Sequence, residues 1–368
     1  MSDFDIAIVG AGIVGASIAA EIGAHSSVLL LEAESQPGYH ATGRSAAFWS
    51  ETYGGPIVQP LTSLSKAFLA NPPADFTDRP LLRRRGALHL GQAADKALAD
   101  AMLADFSKSS VSLEQLGPNE IAHHLPNLKP GWTEALWEPE CCDIDVAALH
   151  AGYLKKARNA GAQLHCHAPL TGAKFVRGEW QIEANGHFTA KKLINAAGAW
   201  ADQVASLAGA KAIGITPYRR TVLQLAVDPP ASSDLPLVVG LDGSFYFKPE
   251  VGGKLWLSPH DEGASEPCDA APEELDVACA IARFQQVVDW PILRLEQKWA
   301  GLRSFAPDRA PVIGFDPHIP EFFWAAGQGG FGIQTAPAIA TMAAALLSDR
   351  VIPTMAADPR PFSPARFC

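Results

Sequence analysis

Three glycines and a glutamate carry the clearest chemistry in this sequence. Gly10-Ala-Gly-Ile-Val-Gly15 follows a short apolar run at 5–9 and opens an Ala-rich segment. Glu32 lies 22 residues beyond Gly10, at the end of a second apolar run, Val28–Leu31. That spacing suits the pyrophosphate and ribose of a dinucleotide. Gly10 permits the tight turn, Gly12 lets a pyrophosphate approach backbone N–H groups at Ile13 and Val14, and Gly15 lets helix and sheet pack closely. The helix N-terminus favours the phosphate charge. Glu32, with Ala33 beside it, is placed to accept from ribose hydroxyls. Next comes Gly38-Tyr-His-Ala-Thr-Gly-Arg-Ser-Ala-Ala47, dense in small residues that let backbone lie against a large flat ligand. Asn195-Ala-Ala-Gly-Ala-Trp200 and Gly327-Gln-Gly-Gly-Phe-Gly-Ile-Gln334 have the same character. Alone, the first segment reads as a surface loop; three together do not.

Other chemistries are weakly represented. His165 and His167 share one face if 163–167 is a strand, and His123 and His124 are adjacent, but neither pair has a third ligand at metal spacing. No metal is expected. No G-x-S-x-G or comparable scaffold supports a Ser-His-Asp nucleophile.

The elements that position the glycines follow from periodicity. Residues 5–32 read as one β-α-β unit, whose all-aliphatic second strand suits a buried parallel sheet. Val146–Asn159 reads as a helix stopped by Gly161, followed by a strand at 163–167. Short strands are expected at 192–196 and Phe322–Ala326, and an Ala-rich helix at 335–347. Between these pieces lie Pro-rich and alternating stretches with strand-like runs at 221–226 and 244–248. The expected architecture is α/β. A Rossmann-like nucleotide domain comprises 1–46, 140–213 and 306–368. A sheet-rich α+β domain, 47–139 and 214–305, is inserted twice.

Composition bounds the rest. With 368 residues, 48% hydrophobic and 18% charged, the chain is an ordinary globular enzyme in size and makeup. A net charge of −10 argues against nucleic acid or anionic membrane as partners. No apolar stretch approaches the roughly 20 residues that span a bilayer. The start lacks a basic, signal-like region. Six scattered cysteines, none in a C-x-x-C pair, suit a reducing cytoplasmic setting, with adjacent Cys141 and Cys142 most simply read as inert thiols.

The three small-residue segments, together with Trp299-Ala-Gly-Leu-Arg-Ser304 and 308–314, resemble the D-amino acid oxidase-type FAD-dependent oxidoreductases. That group includes glycine and sarcosine oxidases and D-amino acid dehydrogenases, and the chain is most similar to its bacterial D-arginine dehydrogenase-like members. The resemblance runs from about residue 5 to 347. It implies an FAD-binding Rossmann-like domain (parallel sheet) and a substrate domain whose largely antiparallel sheet covers the flavin. By resemblance, the cofactor contacts are Gly10, Gly12, Gly15, Glu32, the loop His40, Ala41, Thr42, Gly43, Arg44, Ser45, Ala46 and Ala47, then Leu170, Ala197, Gly198, Trp200 and Gly301. Gly329, Gly330, Phe331, Gly332, Ile333 and Gln334 pass beneath the flavin's pyrimidine end, where the next helix N-terminus faces developing negative charge.

A carboxylate clamp is implied at Arg303 and Arg220, since a guanidinium offers two parallel charge-assisted bonds. Tyr53 and Tyr246 match the family's hydroxyl donors, and Gln334 completes the catalytic set. Taken alone, each arginine reads as an interdomain ion pair and Tyr246 as a strand aromatic. Arg219 and Arg220 point to opposite faces if that segment is a strand, and Arg220 is the one expected at the flavin.

Two departures bear on specificity. Cation-binding members carry a carboxylate where this chain has Ala87 and a histidine where it has Phe48. With Ser50 they would form a neutral or apolar side-chain pocket, and Ala87→Glu would restore preference for D-Arg. Arg83, Arg84 and Arg85 just before are read as a solvated loop.

The implied reaction is hydride transfer from Cα of a D-amino acid to flavin N5, with no evident dedicated base, followed by hydrolysis to a 2-oxo acid and ammonia. Oxidation of a secondary amine or 2-hydroxy acid on the same clamp, and a non-catalytic FAD-binding subunit, are the alternatives. Oxygen, quinone or another carrier is left open as electron acceptor. No flavin-linking cysteine is evident, so FAD should be non-covalent. Acid precipitation of the purified protein should release yellow FAD to the supernatant; flavin retained in the pellet would contradict this.

Overall fold

The computed structural model describes residues 2–348 and 357–368, so part of the expected 306–368 segment lies outside the described residues. The glycine turn sits where the sequence placed it, between strand Phe4–Val9 and helix Ile13–Ile22. Phe4–Val9 pairs in parallel with Val28–Leu31 on one side and His187–Asn195 on the other. Gln163–His165 adds to Val28–Leu31, and Phe322–Ala326 to the end of His187–Asn195, both parallel. Gly172–Val176, Glu179–Glu183 and Val312–Phe315 extend this eight-stranded sheet by antiparallel pairs. Its core strand Val28–Leu31 is wholly buried, as a sheet covered on both faces demands. One face packs on helices Ile13–Ile22, Val146–Asn159 and Gly332–Leu347.

A second eight-stranded sheet runs in the order Ile292–Phe305, Thr216–Val227, Lys254–Ser258, Tyr246–Glu250, Leu237–Gly240, Ala87–Gln92, Trp132–Glu138, Glu114–Gln115. Every pair is antiparallel except Leu237–Gly240 with Ala87–Gln92. Its longest pairing, Thr216–Val227 against Ile292–Phe305, sets Tyr218 opposite Arg303 and Arg220 opposite Gly301. Leucines, Phe247, Phe284 and Trp290 fill the far side against helix Glu274–Val287. The mixed α/β class expected from sequence is the observed one.

Three local expectations are corrected. The strand from Gln163 ends at His165, and His167 takes φ +53°, so the two histidines share no strand face. The C-terminal helix begins at Gly332, before Thr335. Arg83 and Arg84 belong to a short strand, Leu82–Arg84, paired with Cys142–Ile144, and Arg85 packs on Asp143. The stretch after the small-residue loop forms a helix, Gly55–Ala70; Pro56 fits its first turn, and Pro60 lies inside it.

Among the described residues no helix is long and apolar enough to cross a membrane, and no group of three His, Cys, Asp or Glu could hold a metal. Burial pushes the Cys141 thiol well up, so it stays protonated.

Candidate active site

One cavity of about 500 Å³ runs from the glycine turn to the Thr216–Val227 and Ile292–Phe305 pair. At its first end, a Cβ on Gly10 would lie 2.4 Å from the Ala196 carbonyl oxygen, and one on Gly15 would lie 1.9 Å from that of Gly10. No side chain fits either position. Helix Ile13–Ile22 starts without a capping side chain, and Thr42 Oγ1 takes only the Ile13 N–H, at 3.0 Å. The next N–H groups of the first turn have no helical partner and suit a phosphate. Glu32 accepts from Ala11 N at 3.0 Å and Glu34 N at 3.1 Å, which fixes the carboxylate while leaving lone pairs for hydroxyls. His150 braces the turn from helix Val146–Asn159 by donating Nε2–H to the Ala11 carbonyl at 2.9 Å. Burial lowers its pKa, so the ring is a neutral donor.

Ile13, Val14, Ala33, His40, Ala41, Arg44 to Ala47, Leu170, Ala197, Gly198, Trp200 and Gly301 line this cavity. The His40 and Trp200 rings lie 4.6 Å apart. Three expected contacts do not line it. Gly15 lies under the turn, Gly43 closes a loop by donating to the Gly38 carbonyl at 2.8 Å, and Phe331 packs behind with Val58 and Phe305. The Arg44 guanidinium is taken up by the Ala270 and Ala300 carbonyls, at 3.0 and 3.1 Å, and by Asp269. It pins the small-residue loop to the second sheet. Trp299 Nε1–H donates to the Arg44 carbonyl at 3.1 Å.

At the other end, strand alternation sends Arg220 into the cavity and Arg219 to the opposite face, where it pairs with Glu273. Arg303 NH1 donates to Tyr53 Oη at 2.8 Å and its NH2 to Glu262 Oε1 at 2.7 Å. Arg220 NH2 reaches the same Glu262 oxygen at 3.5 Å, and Arg309 NH2 at 2.9 Å. Asp261 Oδ1 is 3.9 Å from Arg220 Nε, too far to hydrogen bond. Arg220 Nε and NH1 and Arg303 Nε are therefore buried with no partner. Phe48, Tyr53 and Tyr246 form an aromatic wall, with Phe48 5.3 Å from Tyr53 and 6.2 Å from Tyr246. Burial pushes the Tyr246 phenol well up, so it remains a neutral hydroxyl.

Gln334 lines the cavity, but its amide is spent on structure. Oε1 accepts from Ser50 N at 3.1 Å, and Nε2 donates to the Tyr53 carbonyl at 3.2 Å and Thr62 Oγ1 at 2.9 Å. It ties the helix Gly332–Leu347 to the segment that carries Tyr53.

Ser50 and Ala87 do not line the cavity, which corrects the expected side-chain pocket. Both are buried beside Glu138. Glu138 accepts from Glu51 N at 2.7 Å, Thr52 Oγ1 at 2.8 Å and Ser50 Oγ at 2.9 Å, with His89 Nε2 at 3.2 Å. Burial alone would raise its pKa, but His89 and the two hydroxyls outweigh it and hold the carboxylate ionised. Ala87 also packs in one cluster with Ala46, Phe48 and Tyr246, which do line the cavity.

These features fit FAD: an uncapped helix start beside a fixed glutamate at one end, and Gln328 Oε1, a buried acceptor without a partner, on the cavity wall. The model of the DAO family, FAD dependent oxidoreductase, matches residues 5–346. The chain belongs to that family. FAD is accordingly its cofactor. The sequence is similar to the bifunctional protein ThiO/ThiG of Nostoc sp., 25% identical over 364 residues, covering 95% of this chain and 52% of that protein. The chain thus spans about half the length of that curated relative. Its fold is similar to glycine oxidase from Geobacillus kaustophilus, with TM-score 0.85, 22% identity, and 99% and 98% of the two chains covered. L-Proline dehydrogenase from P. horikoshii gives TM-score 0.84 and 22% identity over 99% and 97%.

Sequence reading missed His150, Glu138, His89, Glu262 and His260. None sits in a motif, and each meets its partners only through the fold. One wedge tests the arrangement of Tyr53 and Arg303. A Cβ at Gly330 would lie 1.8 Å from Tyr53 Oη and 3.0 Å from Arg303 NH1. Gly330→Ala should keep its flavin yet lose turnover by roughly tenfold or more, since misplacing a positioning group by about 1 Å can cost a hundredfold. Unchanged steady-state kinetics would contradict the geometry.

Proposed function

We propose that the protein oxidises the Cα–N bond of a D-amino acid with a neutral or apolar side chain, giving the imino acid and, by hydrolysis, a 2-oxo acid and ammonia. The observation that carries this reading is the pair Arg220, buried, and Arg303, mostly buried, with Arg220 Nε and NH1 and Arg303 Nε lacking any acceptor among the described residues. Leaving a buried donor unmade costs about 1–3 kcal/mol, more when it is charged. A carboxylate recovers that cost with parallel charge-assisted bonds. Around the fork, Arg220, Arg303 and Arg309 face Asp261 and Glu262, three cations against two acids, so one anion completes the balance.

The residues divide the work accordingly. Arg303 and Arg220 hold the substrate carboxylate, Tyr53 and Tyr246 add hydroxyl donors, and Phe48 supplies an apolar wall. Together they fix Cα and exclude water. Gln334 acts through Tyr53 by holding its backbone. When bound, FAD supplies the acceptor for the Cα hydride. Glycine and L-proline, for which two structures of this fold are named, each carry a carboxylate beside an amine.

The neutral side chain follows from the lining. Among the described residues, the only acids on the cavity wall are Glu32 and Glu34, both at the glycine-turn end. A cationic side chain at the arginine end would lose its hydration without gaining a counter-ion. The D configuration rests on the sequence resemblance, so both enantiomers belong in the test.

Anaerobic bleaching of the flavin should be fast with D-Leu, D-Met or D-Phe and slower with their L-enantiomers, D-Arg, D-Lys, N-methyl amino acids and 2-hydroxy acids. A kcat/KM for D-Arg well above that for D-Leu would sink the side-chain reading. Arg303→Ala should lower kcat/KM on the order of a hundredfold, from the loss of about 2–5 kcal/mol, while FAD stays bound. Normal turnover by both Arg303→Ala and Arg220→Ala would mean the substrate lies elsewhere.

A further inference from the structure

His260 lines the same cavity as Arg220, Tyr246 and Arg303, with its ring against that of Tyr246. It lies just past strand Lys254–Ser258 and has φ +54°, left-handed backbone that is uncommon outside glycine. Such conformations persist where surrounding structure enforces them, and they cluster at functional sites. Three contacts enforce this one. The His260 N–H donates to Ser258 Oγ at 3.1 Å, and the ring stands edge-on to Tyr246 with centroids 5.7 Å apart. Its Nδ1 is hydrogen-bonded to the Gly243 carbonyl. A carbonyl only accepts, so Nδ1 carries the hydrogen and the neutral ring presents Nε2 as a bare acceptor.

Among the described residues that line the cavity at this end, no other side chain is a free base. Arg220 and Arg303 are cations, and Tyr53 and Tyr246 are hydroxyl donors. Both Asp261 oxygens accept from Thr221, at 2.7 Å from N and 3.0 Å from Oγ1. Glu262 is held by Arg303 and Arg309. From helix Glu274–Val287, Arg283 donates to the Pro259 and Ser244 carbonyls and anchors the His260 loop.

We propose that His260 is a catalytic residue whose Nε2 takes a proton from the substrate's ammonium group. The inference rests on the amino-acid reading above. The proton leaves nitrogen without electrons, and the N–H bonding pair becomes the amine lone pair. That pair forms the C=N bond as the Cα hydride departs, and the imidazolium returns its proton to solvent. The clamp and the base line one cavity.

The test is anaerobic flavin reduction by the best amino-acid substrate, followed against pH in wild-type and His260→Asn holoenzyme. Asparagine keeps an N–H for the Gly243 carbonyl and removes the base. Wild-type reduction should rise with pH through one ionisation. His260→Asn should lose that ionisation, fall on the order of a hundredfold at neutral pH, and recover in part with added imidazole. A second readout is binding of an amine-free carboxylate, isobutyrate, followed by the flavin spectrum. Its affinity should change less than about threefold in the variant.

An unchanged rate and pH profile in His260→Asn overturns the assignment. So does isobutyrate binding that tightens as pH falls and is lost in the variant, which would make His260 a carboxylate ligand instead. If the variant does not retain flavin, the wild-type profile decides, and a flat profile overturns the proposal. If no amino acid reduces the flavin at all, the function reading fails first and separately.

Discussion

Two guanidinium groups, Arg220 buried and Arg303 mostly so, carry N–H bonds that nothing among the described residues satisfies, and the rest of the site is arranged around keeping them there. A cation in a low-dielectric wall must be held in place and partly neutralised, or it turns to solvent. Glu262 does both from outside the cavity, where one carboxylate oxygen binds Arg303 and Arg309 and reaches Arg220. The inner N–H groups stay free because Asp261 is fastened to Thr221 instead. The unsatisfied donors are thus a feature of the folded state that an anionic ligand would complete, as proposed above.

Three devices hold this fork against the cofactor. Antiparallel pairing places Arg220 and Arg303 on adjacent strands and on one face, diagonal neighbours across the Tyr218–Arg303 and Arg220–Gly301 pairs. Gln334 ties the helix beyond the glycine-rich loop to the backbone at Ser50 and Tyr53. Glu138 then gathers Ser50, Glu51 and Thr52 from the second sheet. Tyr53, which touches Arg303, is therefore fixed from both sheets at once. Removing any one of these would loosen the distance between clamp and flavin without touching either.

The parts legible in the sequence were those fixed by short-range rules. The glycine turn and Glu32 follow from the geometry of one β-α-β unit. The opposite facing of Arg219 and Arg220 follows from the two-residue period of a strand. What the sequence concealed depends on distant pairing. Ser50 meets Glu138 across 88 residues and Gln334 across 284, and Glu262 meets Arg303 across 41. Ser50 lies off the cavity for that reason: its hydroxyl goes to Glu138, a residue no local pattern marks. Gln334 lines the cavity, but its amide serves the backbone. His260 escaped notice because its value lies in a carbonyl fixing its tautomer.

The claim that everything else rests on is that Arg220 and Arg303 await a carboxylate. It is tested most directly by titrating the wild-type holoenzyme, at fixed pH and ionic strength, with isobutyrate and with isobutyramide, and following the flavin absorbance. The two ligands match in shape and differ in charge. The account predicts a saturable spectral change with isobutyrate, competitive with substrate, and at least tenfold weaker binding of the amide, since one lost charge-assisted bond is worth about 1.5–3 kcal/mol. Equal affinity for the two, or no response to either, would contradict it.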